Sequence, residues 1–232
     1  ACLLAASLAV SGSIAVLGAQ PPGQRKPALA HQFPIPAGYV EALAVDSPAT
    51  EFYEDLKVSW SLREANTNGL ISVLARMDDV DYVYHVGPDV AGNHGLPNPM
   101  DVRHCYICFL ESGSVGRQLS EMKAALQSRA NENPSNLEKL IQKIKINEVK
   151  PLGIIKEIGN GFVFGYLVGP SRMNQGKAPR TARLFLTAAV GSTAGGYFIN
   201  DVSIVKSAPD LQESLARVEG IAGQIHPVET AS

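Results

Sequence analysis

An α+β fold, with an antiparallel sheet flanked by helices as an α/β/α sandwich, is the architecture this sequence predicts. Three observations predict it. Late strand-like runs are separated by hairpin signals, and consecutive hairpins require an antiparallel sheet. Several segments carry apolar residues at helical spacing, and each such stripe needs a sheet face to cover. Hydrophobic residues make up 45% and charged residues 18% of 232 positions, which suits a chain with a real core and not a disordered one.

The elements follow in order. Residues 50–62 read as a first helix after the turn signal Asp46-Ser47-Pro48. Residues 70–77 read as a strand, with Ile71, Val73, Ala75 and Met77 on one face and Leu70, Ser72, Leu74 and Arg76 on the other. Residues 78–101, punctuated by Gly87, Pro88, Gly92, Gly95 and Pro97, read as a long irregular segment, and 102–110 as the next strand. Val115, Leu119, Met122 and Leu126 form one helical stripe, ended by the break Asn131-Glu132-Asn133-Pro134. Ser135, with Glu138 three residues on, has the form of a capping box opening a helix whose buried face is Leu137, Leu140, Ile141 and Ile144.

Four strands come next, at 151–158, 162–168, 182–190 and 197–205. Asn160-Gly161 between the first two is a tight-hairpin signal, because both positions tolerate positive φ. Residues 191–196 supply a longer hairpin loop. The closing helix, 208–225, has Ser207 as its cap with Asp210 at the third position, and its stripe is Leu211, Leu215, Val218, Ala222 and Ile225.

Residues 1–19, ACLLAASLAVSGSIAVLGA, carry no charge, and the first basic residue is Arg25. No polar stripe divides the run, which has the pattern of a secretory signal's apolar region, ending in small residues such as Val16, Gly18 and Ala19. Neither a Met start nor a basic region precedes it, so the true beginning is expected upstream. A retained membrane anchor is the alternative, since about 20 apolar residues span a bilayer; Ser7, Ser11, Gly12 and Ser13 count against it. An Ala-Cys pair is the form of a lipoprotein processing site, but Leu3, Leu4 and Ala5 follow where a polar tether belongs, and Cys2 reads as part of the signal. Residues 20–36 form a Pro-rich linker, expected to be extended or mobile, and 37–228 a single α+β domain with no further linker or repeat.

A net charge of -2, a pI near 6.2 and 6% aromatic residues exclude nucleic acid as a partner. Cys105-Tyr106-Ile107-Cys108 spells C-x-x-C, but in a strand-like run the two sulfurs would point to opposite faces and could not pair without distortion. A bulge there would reopen a thiol redox reading. His85, His94 and His104, with Asp78, Asp79, Asp81 and Asp89, offer metal-ligand types at a spacing that matches no known site, so a solvated loop is the plainer reading. The glycine-rich runs 159–161 and 191–196 lack a P-loop lysine and read as hairpin turns, and no serine sits in a G-x-S-x-G frame. No catalytic, cofactor-binding or metal residue is therefore assigned, and no cofactor is expected.

The order of elements, with an FPIPAGY segment at residues 33–39, is similar to that of uncharacterised bacterial envelope proteins with a PsbP- and Mog1-like α/β/α sandwich. The resemblance implies a sheet with helices on both sides and an accessory or binding role, and it implies no functional residue. The expectation is an exported protein, periplasmic or extracellular, that acts without catalysis on an unknown protein or small-molecule partner. Membrane contact is expected only through the N-terminal segment if that is retained, and the binding surface is expected in residues 78–101. A thiol redox or metal-dependent enzyme of the envelope is the alternative.

Overall fold

The computed structural model describes residues 30–59, 69–86, 97–111, 114–170 and 182–228. Among these the strands are β1 (Ala30–Gln32), β2 (Tyr39–Glu41), β3 (Leu70–Arg76), β4 (His104–Glu111), β5 (Val149–Ile158), β6 (Gly161–Val168), β7 (Ala182–Gly191), β8 (Gly195–Val205) and β9 (His226–Val228). The helices are α1 (Thr50–Ser59), α2 (Met77–Val80), α3 (Val115–Gln127), α4 (Leu137–Lys143) and α5 (Ala208–Ala222). Seven strands form one antiparallel sheet in the order β2-β3-β4-β8-β7-β6-β5, while β1 and β9 pair separately.

Strand alternation divides the core between the two sides of this sheet. Leu74, Cys105, Ile107, Leu184, Leu186, Ala188, Tyr197 and Ile199 point to one side, where the apolar stripes of α4 and α5 cover them. Val73, Ala75, Tyr106, Cys108 and Val202 point to the other, under Phe52 and Leu56 of α1. On that same side Val115 and Leu119 of α3 pack on Phe162, Phe164 and Ala189 as a separate cluster. The predicted α+β sandwich is thus the observed one. Helix α5 starts on the predicted capping box, in which the Ser207 N–H donates to Asp210 Oδ2 at 2.9 Å.

Several local expectations need correction. In β3 the register shifts between Leu70 and Ser72, so Ile71 packs with Leu74 on the α5 side and Leu70 with Val73 on the α1 side. A strict alternation had placed Ile71 with Val73. The bulge is held by a distant group: the Glu41 carboxylate accepts from the Val73 N–H at 3.1 Å and from the Ser72 hydroxyl.

Residues 78–101 are not irregular throughout, because α2 continues into a π-helical turn over Asp81–Val86. Buried Val80 and half-buried Val83 and Tyr84 pack on the α1 cluster, and the Tyr84 hydroxyl donates to Asp55 of α1 at 3.1 Å. Ser135 is not a cap. Asn133 accepts from the Ser135 N–H at 2.9 Å, and a single 3-10 turn, Pro134–Asn136, leads into α4.

Strand β1, in the stretch expected to be a linker, pairs with β9 and sets His31 against the Phe109 ring (centroids 4.7 Å apart) and the Tyr197 hydroxyl (3.0 Å). The end of the Pro-rich stretch is held because its His31 ring finds an aromatic seat.

The β5–β6 turn is centred on Gly159-Asn160, with Ile158 paired to Gly161, and Gly159 takes the positive φ of 39°. Gly161 is needed for another reason: a Cβ there would overlap the backbone carbonyl oxygen of Ala189 on β7. Gly161→Ala is expected to cost about 2 kcal/mol. Gly116→Ala, where the new methyl meets open space on α3, should instead stabilise by about 0.5–1 kcal/mol. Urea unfolding of both variants measures the contrast, and equal effects would contradict the close β6–β7 approach.

Candidate functional site

The α1 and α3 clusters share Phe198, and on the same face the sheet carries a shallow recess with only about 10 Å³ of enclosed space. Its side chains come from Tyr106 of β4, Tyr166 of β6, Phe185 and Thr187 of β7, and Asn200 of β8. Register brings them together: Tyr166 lies opposite Phe185, Thr187 opposite Asn200, and Asn200 opposite Tyr106. Leu186 and Asp201 also border the recess, but alternation sends their side chains to the α5 side.

Tyr166 and Phe185 stack with centroids 4.8 Å apart and planes 5° from parallel, and both are half-buried. Beside them the buried Thr187 hydroxyl donates to Asn200 Oδ1 at 2.9 Å. Asn200 in turn donates its amide to the carbonyls of Phe198 (3.1 Å) and Tyr106 (3.4 Å). The Thr187 oxygen keeps lone pairs that this chain of bonds does not use. The five side chains are uncharged. Such a surface offers a flat apolar face and one hydrogen-bond acceptor.

The α5 side holds a second polar group, an ion-pair network. Arg217 of α5 gives its Nε to Asp201 Oδ1 at 2.6 Å and its Nη2 to Asp201 Oδ2 at 3.0 Å, with side-chain exposures of 5% and 0%. Nη2 also donates to Ser203 (2.9 Å) and Ser214 (3.2 Å). The guanidinium lies 5.2 Å from the Tyr39 ring centroid. Burial, then the Asp201 carboxylate, pushes the Tyr39 phenol above its ordinary range. At the rim Arg103 holds Asp79 through Nε (2.7 Å) and Nη2 (2.8 Å).

The residues weighed in the sequence are dispersed. Cys105 joins the α4–α5 core and Cys108 the α1 core, both buried on opposite faces with no disulfide joining them, as the strand alternation requires. His104 is buried in β4 with Nδ1 2.8 Å from the Val102 carbonyl, and Asp79 is committed to Arg103. His85 is exposed on the π-helical turn, and His94 and Asp89 lie outside the described residues. Among the described residues no three His, Cys, Asp or Glu side chains gather as a metal site, and no helix is long and apolar enough to cross a membrane.

Sequence reading missed both polar groups. One signal was present for each: Asn200-Asp201 are strand-averse residues inside an otherwise apolar strand, and Ser214 and Arg217 interrupt the buried face of α5. The recess aromatics gave none, since Tyr166 and Phe185 are ordinary strand residues until the register is known.

A scan of family models finds no match, and a search of curated proteins finds none either. Among solved structures the chain is similar to LpqN, described as involved in cell envelope biogenesis of Mycobacterium tuberculosis, at 7% identity over 90% of this chain and 87% of that one. The TM-score is 0.32, too low to establish a shared fold or the PsbP- and Mog1-like resemblance.

Proposed function

We propose that this chain is a binding module that acts without catalysis and holds a neutral ligand on the Tyr166–Phe185 pair. The observation that carries the reading is the half-buried aromatic stack beside the Thr187–Asn200 hydrogen bond, on the stretch of sheet between α1 and α3. The recess has only about 10 Å³ of enclosed space, so the ligand rests one ring or a short apolar segment on the exposed part of the stack and is not enclosed by it. The uncharged lining favours a neutral group with a hydroxyl or N–H that reaches the Thr187 oxygen. Export to the periplasm or exterior belongs to the same reading and rests on the uncharged run at residues 1–19.

Native mass spectrometry of the protein recovered from its own cells tests this. The expected result is a neutral adduct that is lost on denaturation. Tyr166→Ala and Phe185→Ala should each weaken its retention about tenfold. A bare native mass, or an adduct that both variants retain unchanged, would overturn the placement.

A further inference from the structure

On the α5 side, three arginines of the same network differ in one respect. Arg217 and Arg103 each present the Nε–Nη2 edge to a carboxylate, Asp201 and Asp79 respectively. This side-on fork is the geometry in which guanidinium and carboxylate bind most strongly. Arg76 stands beside them in β3, and its same edge is unfilled. Its Nε is buried and has no hydrogen-bond partner among the described residues, and its Nη2 reaches only Asp78 at 3.4 Å.

A second donor lies next to it. Tyr39 is the register partner of Arg76, so the two side chains share a face of the sheet. The Tyr39 side chain is buried, with 7% of the residue exposed, and its hydroxyl also lacks a partner among the described residues. Buried donors without an acceptor are costly in a folded protein, and an oxygen ligand reaching both of these facing residues would relieve that cost.

We propose that the Arg76 Nε–Nη2 edge, with the Tyr39 hydroxyl, is a receptor for one carboxylate group of a small organic acid. The site is separate from the aromatic recess and rests on different residues. A carboxylate is favoured over a neutral carbonyl because two planar oxygens match the fork while one of them also accepts from the phenol. The group that must give way is exposed: Asp78, 78% exposed, holds Nη2 at 3.4 Å, while Glu213 contacts Nη1 at 3.4 Å, off the proposed edge. Long, solvated ion pairs of this kind are cheaply replaced. Asp201 and Asp79 stay on their own arginines and take no part in the exchange.

The test follows arginine Nε–H signals by NMR in the full isotopically labelled chain. Sodium acetate is titrated against sodium chloride at equal ionic strength, and Arg76→Lys assigns the Arg76 signal by its disappearance. The expected result is one signal, that of Arg76, that moves and saturates with acetate and not with chloride. Tyr39→Phe, which keeps the ring beneath Arg217, should weaken the acetate response about tenfold. No acetate-specific saturation, or a response unchanged in Tyr39→Phe, would overturn the proposal. If Arg76→Lys does not fold, the Tyr39→Phe comparison decides alone by the same two outcomes. Triglycine with a free or an amidated C-terminus separates the sources. Binding of the free form about tenfold tighter than acetate would transfer the site to a polypeptide end and overturn its assignment to a small acid.

Discussion

Asp201→Ala is expected to destabilise the protein by about 3–5 kcal/mol. Asp201 is fully buried and takes both oxygens of its carboxylate to Arg217. Removing it leaves a guanidinium enclosed by Tyr39, Ser203 and Ser214 with, among the described residues, only the solvent-exposed carboxylate of Glu213 at 3.3 Å to balance the charge. Arg217→Ala should cost a similar amount by stranding the carboxylate. The double change Asp201→Leu with Arg217→Met removes both charges and keeps the volume, so it should cost much less than either single change. Urea unfolding of the three variants reads this directly. Single variants that lose under about 1 kcal/mol would mean the pair is hydrated and not part of the core.

Acid should weaken the fold through His104. Burial holds its pKa down, to about 4, against the opposing influence of the Val102 carbonyl and the Asp201 carboxylate. The ordinary value of 6.5 applies to the unfolded chain. Between those limits the unfolded state carries a proton that the folded state refuses, so stability rises with pH across the window. The contribution is complete above pH 6.5 and is lost as the pH falls towards 4, about 3 kcal/mol in all. Desolvation lowers the His31 pKa as well, which adds a change of the same sign. Unfolding midpoints of the native protein and of His104→Gln, measured across this range, give the test. The variant should be less stable at neutral pH and show a flatter acid slope, and parallel slopes would remove His104 as the titrating group.

Local pattern was enough for most of the scaffold. The stripes of α3, α4 and α5 each bury the residues that helical spacing selects, and β5 to β8 follow the predicted strands within a few residues. The misses share a cause. The Ile71 swap depends on Glu41, thirty-one residues before Ser72, whose carboxylate props the bulge open. The helical start of 78–101 depends on Val80, Val83 and Tyr84 finding the α1 cluster. The recess is less legible still. It exists because three strands align Tyr166, Phe185, Thr187 and Asn200, and because α1 and α3 cover either side of them. The Tyr39–Arg76 pair likewise emerges only from the β2–β3 register.

The pairing of β1 with β9 has a mechanical consequence. Ala30 lies opposite Val228 and Gln32 opposite His226, so the chain leading into β1 and the chain leaving β9 depart from the same end of the ribbon. Tension between those two ends loads the ribbon in peeling geometry, one residue pair at a time, and His31 must leave its seat on Phe109 and Tyr197 before force reaches the main sheet. Under such tension the ribbon is expected to yield first, before load reaches the seven-stranded sheet. Joining those adjacent ends through a short linker, with new ends opened at a surface turn, would remove this weak point while preserving both proposed binding surfaces.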